Sequence, residues 1–344
     1  MALLFCDSFD HYDNNHIGEK WDAVGSMQVG NAREGQGATS TNGQYGVLQK
    51  NVPGSSVLVA GAAFNAPSGQ TNRGTVIQFA NPTAPTLVQA QLVLNTDGSL
   101  AIHTNPGGSE TIVGTTASGL LKFNVFVYLE FYVAFSSSGT GTAKVALNGQ
   151  IVLSVANLTI GTSANASQVI FAGTDAGGTF DDVYICDGTG TINNNFLGDV
   201  RVAVAAPAGN GRVDQWARTG GTSAGNYTAV SELPVNLGPA PDDDTSYVSS
   251  STAGQIDAYT LSSIGTVPAI KAVQLVACAR KDDAGSRVLA LGFGNGTTES
   301  FNTGASLVNN YIFLTRPLDR NPLTNVNWVP ADLTTGQLAL KVIL

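Results

Sequence analysis

Apolar and polar residues alternate with a period of two along most of the chain, the pattern of half-buried strands. Residues 56–64, 75–80, 87–95 and 99–104 are β-branched or aliphatic runs, bounded by Gly, Pro, Asn and Asp. One short helix is expected over residues 14–21, with Gly18 working against it. The clearest local signal is Asn148-Gly149, which joins two alternating runs at 142–147 and 150–155. Both residues of such a turn need positive φ, so this dipeptide predicts a tight hairpin. Residues 125–135 before it form a long aromatic strand, on which Glu130 is expected to face solvent or be hydrogen-bonded at an edge. The run Gly177 to Gly188 is a further strand. Strict alternation puts Phe180, Asp182, Tyr184 and Cys186 on one face, with Asp181, Val183 and Ile185 on the other.

A Gly/Asn-rich break at 188–196 divides the chain into residues 1–187 and residues 197–344. The second part also reads as strands, at 198–204, 245–249, 269–280, 288–293, 311–315 and 337–344. With so little helical periodicity, the fold class is all-β, as sandwiches or jelly rolls. Composition agrees. Forty of the 344 residues are glycine and 12% are charged, which suits many tight turns and excludes coiled coils and charge-rich disorder.

The net charge is −9, made of −7 up to residue 197 (6 basic, 13 acidic) and −2 beyond it (10 basic, 12 acidic). Neither part is basic enough to predict nucleic-acid binding. The longest apolar stretch, 120–135, is broken by Lys122, Asn124 and Glu130, so no membrane insertion is expected. The N-terminus lacks the basic n-region of a signal peptide, and Cys6, Cys186 and Cys278 form neither a disulfide framework nor a zinc pattern. Synthesis in a reducing cytoplasm follows as the expectation.

The aromatic strand, the Val-Ala-Leu-Asn-Gly hairpin and the Gly-Thr-Phe-Asp-Asp-Val-Tyr-Ile strand (178–185) occur in an order that resembles the closing strands of concanavalin A-like (laminin-G-like) jelly rolls. The opening Ala-Leu-Leu-Phe-Cys-Asp-Ser-Phe resembles the first strand of the versions found in tailed bacteriophages. Residues 196–202, 242–259 and 279–287 are similar to a recurrent module of phage structural proteins. The resemblance implies an N-terminal jelly roll followed by a smaller C-terminal β-sandwich. It also implies that the first and last strands of the jelly roll are close, which makes Cys6 and Cys186 neighbours, reduced in a cytoplasmic protein.

The function it implies is a non-enzymatic virion structural protein, made in the host bacterial cytoplasm and exposed on the particle surface at the tail or tail tip. Its expected partners are other virion proteins, further copies of itself as a trimer, and host surface carbohydrate. The alternative is a capsid (head) decoration protein, and a glycan depolymerase ranks third.

Chemical motifs are sparse. Gly-Thr-Ser-Ala-Gly (221–225) matches a nucleophile elbow as a string, but a turn precedes it and every histidine lies in the other part of the chain. The Glu-x-Asp-x-x-Glu strand of jelly-roll glucanases is absent, and the glutamates are scattered singly. No catalytic residue and no obligatory cofactor are therefore expected. Trp216, Trp328 and Tyr227 are the candidate sugar-binding aromatics, because polar loop residues flank them. Asp242, Asp243 and Asp244 are candidate calcium ligands by their oxygen chemistry.

Overall fold

The computed structural model describes residues 2–41, 44–82, 87–105, 108–222, 225–233 and 241–344. The chain is nearly all β and divides into two compact units. Met1–Phe9 and Trp21–Val202 form the first; Asp10–Lys20 and Ala203–Leu344 form the second.

The first unit is a jelly-roll sandwich of two antiparallel sheets. The eight-stranded sheet runs, in space, β13 (Gln150–Leu158), β12 (Gly141–Leu147), β11 (Val127–Ala134), β6 (Val57–Asn65), β15 (Thr179–Asp187), β4 (Gln36–Ser40) and β3 (Met27–Asn31), with β1 (Leu3–Asp7) also on β15. The seven-stranded sheet runs β10 (Thr111–Thr115), β9 (Leu100–Thr104), β8 (Leu87–Leu94), β7 (Gly74–Asn81), β14 (Ala166–Ala172), β5 (Val47–Ser55) and β2 (Ala23–Gly25). Asn148 and Gly149 take φ of 48° and 77° between β12 and β13, as a tight Asn-Gly hairpin requires. On β1, Leu3 lies opposite Cys186 and Cys6 opposite Tyr184.

Between the sheets lies an aromatic core. Phe79 stacks on Phe131 at 5.2 Å, and Phe180 packs on both Phe64 (4.8 Å) and Phe171 (5.7 Å). Each such ring is worth about 1.5–3 kcal/mol of burial. Phe131 points inward, so alternation sends its neighbours Glu130 and Tyr132 to the outer face of the eight-stranded sheet.

Strand β15 departs from strict alternation. Asp182 takes φ of 51°, and the register against β6 shifts between Asp181 and Tyr184. The bulge reverses the parity of the strand, so Phe180 packs in the core whereas Tyr184 points outward to Glu130. The two are therefore not on a common face.

Residues 188–196 belong to the first unit rather than standing between units. The reason lies just beyond them, where the chain is tied to the outer face of the eight-stranded sheet. The N–H of Leu197 donates to Tyr184 Oη (3.2 Å), that of Gly198 to Glu130 Oε1 (2.9 Å) and that of Val202 to Asp182 Oδ1 (2.7 Å). The Phe196 ring meets Tyr132 edge-on.

The second unit is a smaller sandwich. Its six-stranded sheet contains β16 (Pro207–Asp214), β19 (Ile256–Leu261), β25 (Gln337–Val342), β21 (Val288–Gly294), β22 (Glu299–Phe301) and β23 (Ala305–Ser306). The pair β20 (Val273–Ala279) and β24 (Ile312–Leu318) contributes Leu275 and Leu314 to a core shared with Leu289, Leu291 and Phe293 of β21. A short pair, β17 (Ala217–Thr219) and β18 (Tyr247–Ser249), completes its strands among the described residues. The expected helix over 14–21 is one turn, α1 (Ile17–Lys20), and it packs in this unit against β24. A single turn is far below the length at which a helix holds by itself, so this packing supports it.

Candidate functional site

The two outer faces of the first unit carry different chemistry. On the seven-stranded sheet, register places Gln49, Ile170, Gln78, Gln91, His103 and Ile112 in one row across β5, β14, β7, β8, β9 and β10. Gln91 Nε2 donates to Gln78 Oε1 at 3.0 Å, which fixes the orientation of both amides. At the β9 end the row enters a cleft of about 240 Å³, lined by Val88, Gln91, His103, Thr104, Asn105, Gly108 and Glu110.

His103 is the cleft's central group, and only 1% of it is exposed. Its Nδ1 is hydrogen-bonded to Glu110 Oε1, while Arg73 donates to Glu110 Oε2 at 3.0 Å. The hydrogen bond from His103, then the charges of His103 and Arg73, outweigh desolvation and hold the Glu110 carboxyl below its ordinary range. A carboxylate on Nδ1 selects the tautomer with the proton there, which leaves the Nε2 lone pair as an acceptor. Nε2 is buried, and no described residue satisfies it; the same is true of Thr104 Oγ1 and Asn105 Oδ1. Three unsatisfied polar atoms at one cleft form a place where a bound molecule or water supplies the missing partners. An imidazole oriented by a carboxylate is the standard arrangement of a general base.

The outer face of the eight-stranded sheet also bears a carboxylate, but a sealed one. Glu130 is fully buried, contrary to the expectation of a solvent-facing or edge position. It accepts from Tyr184 Oη at 2.5 Å and from the Gly198 N–H. Burial pushes its pKa up, against the lowering effect of these hydrogen bonds. The tyrosines beside it, Tyr128 and Tyr184, are pushed up by burial and by the neighbouring carboxylates. Arg33 and Arg201 pair with Asp199 and Asp182 at the rim. This network ties chain segments together, with Glu130 Oε2 buried and without a partner among the described residues.

The residues singled out from sequence lie elsewhere. Trp328 is a core residue of the second unit, 4% exposed. Its ring is perpendicular to Phe293 at 4.9 Å, and its Nε1 donates to Leu318 O at 2.9 Å. Trp216 and Tyr227 pack on the same core, half-buried. The Trp328 ring is spent on core packing, whereas Trp216 and Tyr227 are only partly covered. The three aspartates diverge. Asp242 accepts from Ser246, Asp243 from His16 and Asp244 from Arg280 and Tyr311. Among the described residues no three His, Cys, Asp or Glu side chains come together as metal ligands. Ser223 and Ala224 of the Gly-x-Ser-x-Gly string lie outside the described residues.

No family model and no curated protein matches the chain. Among solved structures it is similar to an endo-β-1,4-glucuronan lyase from the fungus Trichoderma reesei, at 14% identity and a TM-score of 0.40, over 52% of this chain and 93% of that one. It is similar to the alginate lyase Aly36B in complex with alginate tetrasaccharide, at 12% identity and a TM-score of 0.39, over 54% and 96%. A carbohydrate-binding module, CBM66 from Bacillus subtilis, is matched at 8% identity and a TM-score of 0.35, over 48% and 94%. The expectation of a non-enzymatic phage virion protein is corrected by these findings, because the proteins matched are glycan lyases and a carbohydrate-binding module. The reading of function below rests on the cleft itself.

Proposed function

We propose that the first unit binds a glycan chain along the amide row of the seven-stranded sheet and processes it at His103. The observation that carries this reading is the His103–Glu110 pair at the floor of the cleft, with its unsatisfied Nε2 beside the fixed amide of Gln91. Amides and imidazole are hydrogen-bonding groups suited to hydroxyls; Gln78 and Gln91 are neighbours across β7 and β8, and Gln49 follows beyond Ile170 of β14.

The chemistry suited to this site is proton abstraction rather than two-carboxylate hydrolysis. Hydrolysis needs two carboxyls facing the scissile bond. Among the described residues Glu110 is the single carboxylate lining the cleft, and it is already shared between His103 and Arg73. A base-initiated elimination needs one oriented base. His103 Nε2 takes the carbon-bound proton next to a sugar carboxylate, the electron pair forms a carbon–carbon double bond, and the glycosidic C–O bond breaks. The leaving oxygen is then protonated by solvent.

The test is to incubate the protein with polyuronates and with neutral glucans, following ultraviolet absorbance of the new double bond and the release of reducing ends. Turnover of a polyuronate, reduced at least about 100-fold in His103→Ala, is expected for loss of a general base. Absence of both turnover and binding across the panel would overturn the proposal. Reducing ends released without a double bond would overturn elimination.

A further inference from the structure

The second unit contains a built polar pocket that the glycan reading of the first unit does not use. It is an open cleft of about 390 Å³ lined by Asp243, Asp244, Arg280, Asn309, Asn310 and Tyr311. Its walls are held from behind. The side chain of His16 is 5% exposed and bonds Asp13 through Nδ1 (2.6 Å) and Asp243 through Nε2 (3.3 Å). Asp243 sits at φ of 54°, a conformation that a non-glycine residue keeps only when its surroundings impose it. Asp244 Oδ1 accepts from Arg280 Nη2 at 2.8 Å and from Tyr311 Oη at 2.9 Å, and the guanidinium lies 5.4 Å from the Tyr311 ring centre. Asn309 is anchored through Nδ2 to Asp283 O, whereas Asn310 is exposed.

The charges decide what fits. Two carboxylates in the wall repel phosphate, sulfate and carboxylate ligands. Arg280, paired with Asp244, opposes a bare cation, and the three-ligand cluster a metal would need is absent among the described residues. What remains is a neutral molecule that donates to carboxylates, accepts from a guanidinium and an amide, and lies against an aromatic edge. Vicinal hydroxyls on a sugar ring meet all three conditions. We infer that this pocket is a second saccharide site, for a neutral sugar residue, formed wholly within the second unit. It stands on its own residues and does not depend on the cleft at His103.

The experiment is saturation-transfer NMR on the full chain with the methyl glycosides of glucose, galactose and mannose, one at a time. Transfer to the ring protons of at least one glycoside is expected. It should persist in His103→Ala and fall at least fivefold in Asn310→Ala and in Tyr311→Ala. Asn310 is exposed and its removal leaves the fold intact, so a loss there is not a folding effect. No transfer to any of the three would overturn the inference. So would transfer that Asn310→Ala and Tyr311→Ala leave unchanged, and transfer abolished by His103→Ala would reassign the binding to the first unit.

Discussion

The two outer faces of the first unit are built from the same strand alternation, yet one is shut and the other is open. On the eight-stranded sheet, Glu130 and Tyr184 lie beneath the chain at 196–202 and find their partners there. On the seven-stranded sheet, His103 lines a cleft with one nitrogen held and the other without a partner among the described residues. Each group keeps one buried atom without a partner among the described residues, Glu130 Oε2 on the one face and His103 Nε2 on the other. What differs is the cover: the chain lies over Glu130 and supplies the Gly198 N–H, whereas His103 lines a cleft.

The contrast can be broken by mutation, starting where the loss should be greatest. Glu130→Ala leaves Tyr184 Oη and the Gly198 N–H without their acceptor, and at about 1–3 kcal/mol per orphaned group it should cost about 2–6 kcal/mol in urea denaturation. A loss below about 0.5 kcal/mol would show that Glu130 does not hold the segment. Gly61→Ala should come next, at about 1–3 kcal/mol. A methyl there would lie 2.2 Å from the Tyr184 ring, and that ring is pinned through its hydroxyl to Glu130.

The pH dependence of stability sharpens the comparison further. The folded pKa of Glu130 lies above the ordinary carboxylate value, so between the two the folded state holds the proton more often. Stability is then greatest below the ordinary value and falls as pH rises through the folded one. Glu130→Gln should flatten this fall, measured as thermal midpoints over a pH series; an unchanged slope would assign it to other groups. The smallest stability effect belongs to the open face. His103→Ala should cost about 1 kcal/mol or less, because water enters the cleft, while turnover of a glycan is lost. A loss of several kcal/mol there would make His103 a structural residue like Glu130.

Much of the first unit's fold was legible because it is local. Asn148-Gly149 fixes its hairpin through backbone conformation, and the inward Phe131 could be placed from alternation. The bulge at Asp182 was not legible, since nothing in Phe-Asp-Asp-Val marks which aspartate takes positive φ. The candidate site was missed for a related reason. His103 and Glu110 are seven residues apart on either side of a turn, and neither is part of a spaced motif. A possible signal was an isolated histidine ending the apolar run Leu-Ala-Ile-His, since burial there demands a partner. Trp328 misled through its polar neighbours, which describe the loop and not the ring packed against Phe293.

The assignment of Asp10–Lys20 to the second unit bears on the order of events during synthesis. His16 and Glu19 leave the ribosome before their partners Asp243 and Cys278, which follow 227 and 259 residues later. At about 5–20 residues per second, that interval is on the order of ten to fifty seconds. The first unit can close its two sheets within that time while a loop near its own beginning still waits for its partners. The N-terminal stretch is therefore among the last parts of the protein to be completed, and a ribosome stalled before residue 243 would display it unprotected to proteases.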